Sequence, residues 1–192
     1  MTLKPKMNPE DLLKAEYEYI AQTAYQANED RARGASFYFV SVGSIVAAIL
    51  GTQLTEDNLQ GVALAFFFLF IVMTGLGALT LAQLARLRAA WHESIQAMNV
   101  VKDFYLEHYP EFEPAFKWRV KSIPPTDKPY SIANLTAVEV TLLGGLTAGA
   151  AVYFLLLWIG AVNWLGFIAV AAAAAIGSAS LWAFYKKLLV DD

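Results

Sequence analysis

The chain has 192 residues, of which 57% are hydrophobic and 16% are charged, and it contains no cysteine. This composition excludes a disordered chain and is too apolar for an ordinary soluble domain. The absence of cysteine also excludes disulfides, thiolate metal sites and thiol nucleophiles. The net charge of −3 is small, so the placement of charges along the chain is more informative than their sum.

Four apolar stretches, at about 36–54, 61–82, 138–159 and 164–184, are each long enough to cross a bilayer. All 14 Lys and Arg residues lie before the first stretch, between the second and third, or after the fourth, and the short loops within the two pairs contain none. Basic residues concentrate in the cytoplasmic segments of membrane proteins. The sequence therefore predicts an all-α, multi-pass inner-membrane protein with two in-out-in hairpins and both termini in the cytoplasm.

The segment 1–34 is predicted to contain a cytoplasmic helix that leads into the first transmembrane hairpin, 35–82. Asn8 followed by Pro9 and two acidic residues is typical of a helix start, because Asn caps free amides and acids favour the positive helix end. Apolar residues then recur every three or four positions and predict a stripe on one helix face. Its first members are Leu13, Tyr17 and Ile20.

The segment 83–109 is predicted to continue the second span into the cytoplasm as a helix. Apolar residues again recur every three or four positions, the pattern of a coiled-coil seam. We expect this seam and the N-terminal stripe to pair as an antiparallel stalk, within one chain or between chains. The seam consists of Leu84, Leu87, Trp91, Met98, Val101 and Tyr105. His92 and His108 lack the spacing of a metal site, so we interpret both as stalk surface.

The segment 110–137 is predicted to be a connector without a continuous helix, because five of the seven prolines lie in it. Its aromatic residues are interleaved with bases, which suits a segment lying on anionic lipid headgroups. Single-stranded nucleic acid is the alternative partner. The acids Glu111 and Glu113 weaken that electrostatic footprint, so no nucleic-acid partner is predicted. The residues concerned are Phe112, Phe116, Trp118, Lys117, Arg119 and Lys121.

The second hairpin is predicted at 138–185, with Asn134 or Thr136 as the helix cap and a cytoplasmic tail at 186–192. Small residues recur at intervals of four in three of the spans, a spacing that lets helices approach closely in lipid. The pattern fits an oligomer interface or packing within one chain, and both stay open. These residues are Gly43, Ala47, Gly51, Gly145, Gly149, Ala169, Ala173 and Gly177.

Aromatic residues near the ends of the spans are predicted to anchor the chain at the membrane surface. Tyr38, Trp182 and Tyr185 lie near the expected cytoplasmic surface. The phenylalanine-rich run 66–70 is expected to face lipid.

Few polar residues lie within the apolar stretches. Ser41, Ser44 and Thr52 form a possible pore face, although serine and threonine also bond their own helix carbonyls. Glu139 is the only acid there and is a possible ion or proton site, although near the helix end it can also reach headgroup water. Nucleotide, hydrolase and metalloprotease motifs are absent, so no catalytic residue, cofactor or metal is predicted.

The layout of residues 9–109, a cytoplasmic helix followed by a transmembrane pair and a helical extension, resembles that of SLATT-type bacterial membrane effectors. These proteins are proposed to form pores in conflict systems, so the resemblance implies a pore and transfers no functional residues. The sequence itself favours a non-enzymatic, homo-oligomeric scaffold or accessory subunit in the bilayer, whose stalk binds a cytoplasmic protein or signal. The alternatives are a stalk-gated channel and, third, an ion-coupled transporter that uses Glu139.

Overall fold

A computed structural model of the chain describes residues 8–51, 56–116, 118–119 and 122–190. Every regular element in this described part is helical. The elements are α1 (Pro9–Gly51), α2 (Glu56–His108), a 3₁₀-helix (Pro110–Ala115), α3 (Ile132–Trp158) and α4 (Trp164–Val190).

All four α-helices are long and apolar enough to cross a membrane, which confirms the four predicted spans and the all-α class. With 43 and 53 residues, α1 and α2 are much longer than the roughly 20 residues that a span requires. Each therefore continues well beyond its apolar stretch, as the two periodic stripes predict.

The start of α3 differs from the expected position. Ser131, in an extended conformation, is the N-cap, and its hydroxyl accepts a hydrogen bond from the Asn134 amide at 3.2 Å. Asn134 and Thr136 lie inside the helix, where the Thr136 hydroxyl donates to the Ile132 carbonyl. The caps predicted from sequence were therefore wrong, and the last six residues of the expected connector are helical.

The turn between α3 and α4 depends on one glycine and one asparagine. Gly160 has a φ of +69°, a conformation that residues with a side chain rarely adopt. The Asn163 side chain accepts a hydrogen bond from the Gly166 amide at 3.0 Å and so satisfies a free donor at the start of α4.

The chain divides into two compact units. The first unit is drawn from Met1–Asp30 and Leu87–Lys128, and the second from Arg31–Arg86 and Pro129–Asp192. The second unit therefore contains all of α3 and α4 together with the apolar parts of α1 and α2. Its main core draws side chains from all four helices, among them Val42, Leu81, Val140 and Leu181.

Candidate functional site

The small residues of α3 and α4 are used to pack these two helices against each other. A methyl group on Gly149 would lie 3.1 Å from the Val170 carbonyl oxygen, and one on Gly177 would lie 2.9 Å from the Ala148 side chain. A methyl group on Gly145 would lie 2.6 Å from the Ala174 carbonyl oxygen. Backbone atoms of α4 thus leave no room for a side chain at Gly145 and little at Gly149, and α3 crowds Gly177 in turn. These glycines therefore serve packing within one chain.

The small residues of α1 lie on an exposed face of the helix. Gly43, Ala47 and Gly51 are all exposed. A methyl group built on Gly43 or Gly51 would meet no described atom within 4 Å. On α4, Ala169 is likewise exposed and Ala173 is half-buried. The structure therefore divides the predicted set into packing glycines on α3 and α4 and an unoccupied small-residue face on α1.

Two tyrosines that the sequence places at the membrane surface lie inside the second unit instead. Tyr38 and Tyr185 are 1% and 2% exposed and are the largest fully buried side chains. Tyr185 lies close enough to the half-buried Arg31 to interact electrostatically: burial lowers the pKa of the Arg31 guanidinium, and Tyr185 partly opposes that shift. The interpretation of Tyr38 and Tyr185 as surface anchors was wrong, because both rings fill the core between helices.

A glycine on a neighbouring helix leaves room for the hydroxyl end of Tyr38. A methyl group on Gly77 of α2 would lie 2.7 Å from the Tyr38 hydroxyl oxygen, and one on Gly144 of α3 would lie 3.6 Å from it. This hydroxyl is buried and makes no acceptable hydrogen bond within the described chain. The Thr147 side chain interacts with this hydroxyl in the manner of a weak hydrogen bond, although the pair does not reach hydrogen-bond geometry. The Thr147 hydroxyl also bonds to that of Thr74 at 2.9 Å.

The phenylalanine-rich run of α2 only partly faces outwards. Phe70 is buried, and its ring stacks on that of Phe154 with 5.6 Å between centroids. Phe66 packs against the same ring at 5.0 Å, whereas Phe68 is exposed. The expectation that the whole run faces lipid was therefore wrong. The run includes a three-ring aromatic contact between α2 and α3.

In the first unit, the two apolar stripes lie side by side. Leu13 and Tyr17 of α1 line one cavity of about 460 Å³ together with Val101 and Tyr105 of α2 and Phe116 of the Pro-rich segment. Ala24 and Ala27 of the N-terminal stripe are buried. Leu84, the first predicted seam residue, belongs instead to the core of the second unit. The remaining seam residues Leu87, Trp91, Met98, Val101 and Tyr105, like Leu13, Tyr17 and Ile20, are half-buried.

Arg88 attaches the Pro-rich segment to α2, a role that sequence reasoning missed. It is only 6% exposed. Its guanidinium donates to the carbonyl oxygens of Thr126 at 3.1 Å and Pro125 at 3.3 Å, and it lies 4.4 Å from the ring centre of Trp91. Arg88 and Trp91 are three residues apart and so lie on one helix face. This spacing could have indicated their contact from the sequence.

A second arginine attaches the same segment at another point of α2. The Arg119 guanidinium is 2.8 Å from the Asp103 carboxylate and 3.2 Å from that of Glu113. Both acids are partly or largely exposed, so these ion pairs contribute modestly to stability and mainly fix the position of the segment. The aromatic side chains Phe112 and Trp118 of this segment remain largely exposed.

The Pro-rich segment and α2 enclose a second cavity of about 360 Å³, which we call the Asn99 cavity. Asn99 is 1% exposed. Its side-chain nitrogen donates to the Ile95 carbonyl at 2.9 Å. Its side-chain oxygen is buried without a hydrogen-bond partner in the described chain. The lining is otherwise largely apolar. It consists of Trp91, Ile95, Met98, Asn99, Lys102, Trp118, Ile123 and Pro124.

The predicted polar candidates of the spans are not brought together. The Ser41 hydroxyl donates to the Phe37 carbonyl of its own helix at 2.8 Å, Ser44 is exposed, and Thr52 lies outside the described residues. Glu139 is exposed on α3. Because α3 begins at Ile132, Glu139 lies about two turns from the helix start, beyond the reach of the positive helix end.

Within the described part of the chain, the two histidines bond to residues one helical turn away. His92 pairs with Gln96, and His108 contacts the Phe104 carbonyl. Among the described residues, His, Asp and Glu form no group of three that could hold a metal ion. The sequence matches no protein-family model, and no curated protein or solved structure matches it either.

Proposed function

We propose that the protein is a non-enzymatic membrane scaffold or accessory subunit that assembles with copies of itself. The observation that carries the proposal is the small-residue face of α1, formed by Gly43, Ala47 and Gly51. Gly145, Gly149 and Gly177 pack within the chain, whereas a methyl group on Gly43 or Gly51 would meet no described atom within 4 Å and Ala47 is exposed. Helices in lipid associate through such faces because small side chains allow close backbone contact.

The first unit supports the second part of the proposal, that the cytoplasmic stalk binds a protein partner or signal. The paired helices and the attached Pro-rich segment expose large aromatic side chains, among them Tyr25, Phe104 and Trp118. Exposed aromatic residues are favoured at protein interfaces, because they bury a large area at low entropic cost. The distribution of basic residues along the sequence supports a cytoplasmic position for this unit.

The channel and the carrier have less support. A pore face on α1 depends on Ser44 alone among the described residues, because the Ser41 hydroxyl is bonded to its own helix. A carrier depends on Glu139, which is exposed and forms no ion pair with a described basic residue. The weak resemblance to pore-forming effectors therefore gains no further support from these side chains.

Native mass spectrometry of the full chain in nanodiscs tests the proposal through Gly43→Leu and Ala47→Leu. We expect the unchanged protein to form a closed oligomer and each variant to shift towards smaller species. Leucine in place of Gly43 points to where no described atom of the same chain lies, so the fold should survive. Val72→Leu is the control, because Val72 is an apolar residue that is 56% exposed on α2 rather than on α1.

Two results would contradict the proposal. The first is a monomer for the unchanged chain, and the second is an unaltered oligomer in both face variants. Ion flux through liposomes that contain the assembled protein separates a scaffold from a channel. A scaffold gives the background flux of empty liposomes, whereas a channel gives a protein-dependent flux.

A further inference from the structure

A further cavity of the first unit lies between the start of α1 and the end of α2. Its volume is about 280 Å³. This is just below the range of about 300–1,000 Å³ that drug-sized ligands occupy, so the cavity suits a small molecule. Glu10, Phe104 and Tyr109 are exposed, so a molecule can reach them from solvent. The lining consists of Pro9, Glu10, Leu13, Phe104, Tyr105, His108 and Tyr109.

Aromatic rings form much of this lining. The rings of Phe104 and Tyr105 are nearly perpendicular, at 79°, with 6.4 Å between their centroids. They therefore offer surfaces in two directions, and Tyr109 adds a third phenyl ring to the same cavity. The faces of such rings attract cations electrostatically, and several rings around one cavity are typical of sites that bind quaternary ammonium groups.

The charges around the cavity are of the sign that such a group requires. Glu10 is the only acid of the described lining, which contains no Lys or Arg. Its carboxylate forms no ion pair with a described basic residue. The surrounding sequence, residues 8–13 and 104–112, likewise contains acids and no Lys or Arg. These acids are Glu10, Asp11, Glu107 and Glu111.

The two helix ends at the cavity also permit a cation. α2 ends at His108, and the last carbonyl groups of a helix form its negative end. The start of α1 is the positive end of its helix, but few donors remain free there. Pro9 has no N–H, and the Glu10 amide donates to the Asn8 side-chain oxygen at 3.2 Å.

We propose that this cavity, which we call the Glu10 cavity, binds a small organic cation of the quaternary ammonium class. The rings of Phe104, Tyr105 and Tyr109 surround the cationic group, and the Glu10 carboxylate balances its charge. This binding activity is separate from assembly through α1 and does not depend on it.

Proton NMR by saturation transfer tests this binding on the full chain in dodecyl maltoside, a detergent without charge or ammonium groups. The probe is choline, titrated through its methyl signal. Its matched neutral probe is 3,3-dimethyl-1-butanol, which has the same shape with carbon in place of the charged nitrogen. Micelles without protein measure the background for both probes.

We expect choline to bind saturably and more tightly than the neutral probe. Glu10→Gln and Phe104→Leu should each weaken choline about two- to fivefold, the effect of one exposed ion pair or one cation–π contact. Both should affect the neutral probe less, because it carries no charge. Glu16→Gln and Tyr19→Leu are the matched controls, because both residues are exposed on α1 and neither lines the cavity.

Phosphocholine distinguishes two sources of the ammonium group. The acids around the cavity repel its phosphate, so weaker binding than that of choline assigns a free cation. Equal binding assigns the headgroup of a lipid.

Equal binding of choline and the neutral probe to the unchanged protein would overturn the proposal, and this comparison depends on no variant. An unchanged preference for choline in both Glu10→Gln and Phe104→Leu would also overturn it. So would equal losses in these variants and in the two controls. Circular dichroism establishes that each variant is folded, and we expect native helicity because all four substituted side chains are exposed. Native mass spectrometry measures assembly separately, so a negative result here leaves the assembly proposal intact.

Discussion

The contact between Tyr38 and Gly77 gives a quantitative test of the core of the second unit. Gly77→Ala would place a methyl group 2.7 Å from the Tyr38 hydroxyl oxygen and 3.1 Å from the ring carbon that bears it. Overpacking of this kind costs about 1–3 kcal/mol, whereas alanine in place of glycine gains about 1 kcal/mol of helix propensity. The single substitution therefore mixes two opposing effects.

A double-mutant cycle with Tyr38→Phe separates these effects. Phenylalanine keeps the ring and removes the closest atom, so the nearest remaining distance to the new methyl group is 3.1 Å. The helix-propensity gain is the same in both backgrounds and cancels. We expect Gly77→Ala to be less costly in the Tyr38→Phe background than in the unchanged chain, by about 1–2 kcal/mol.

Tyr38→Phe alone has its own expected result. Because the buried hydroxyl makes no acceptable hydrogen bond, its removal should leave stability unchanged or raise it by up to about 1 kcal/mol. The assay is equilibrium unfolding in mixed micelles with an increasing fraction of sodium dodecyl sulfate, followed by circular dichroism. All four proteins are compared at one concentration, because self-association makes apparent stability depend on concentration.

Equal costs of Gly77→Ala in the two backgrounds would refute the close approach of Tyr38 to α2. A loss of more than about 1 kcal/mol in Tyr38→Phe would show that the hydroxyl has a hydrogen-bond partner. The first result would return Tyr38 to the surface position that its place in the sequence suggests, whereas the second would keep it in the core with a bonded hydroxyl.

The remaining predictions concern the packing of α3 and the attachment of the Pro-rich segment. Gly145→Ala should cost about 1–3 kcal/mol or more in the same unfolding assay, because the new methyl group meets the α4 backbone, whereas Gly43→Ala should be neutral or stabilising. Similar effects of the two substitutions would contradict the packing of α3 on α4. Arg88→Met should cost about 1–3 kcal/mol and speed proteolysis at 122–128, because two carbonyl oxygens lose their donor. Arg86→Met, at an exposed position of the same helix, is the control, and equal cleavage of both variants would show that Arg88 does not hold the segment.

The sequence predicts the four spans correctly because span formation depends on local properties. An apolar run of about 20 residues must satisfy its own backbone in lipid, and only a helix does so within one segment. The start of α3 was missed for a related reason. Hydropathy marks where a helix becomes apolar, whereas the helix itself begins at Ile132, where Ser131 caps it. The boundary of a span and the boundary of a helix are different quantities.

The burial of Tyr38 and Tyr185 could not be read from the sequence, because it depends on residues far along the chain. A tyrosine near the end of a span is usually an interfacial anchor. Tyr38 fits into the core because Gly77, on another helix, leaves space for the hydroxyl end of its ring. The unsatisfied oxygen of Asn99 is likewise a property of the folded structure, because the sequence shows only a polar residue on a helix.

The small-residue pattern shows why the assembly proposal needs the structure as well as the sequence. The same four-residue spacing occurs on α1 and on α3, and in lipid either face could pair with a helix of its own chain or of another. On α3 the backbone of α4 already occupies the space that side chains would fill, so this face is unavailable to a second copy. On α1 the corresponding space is open. A homotypic contact through small residues is therefore more favourable on α1 than on α3, because it requires no displacement of an existing helix pair.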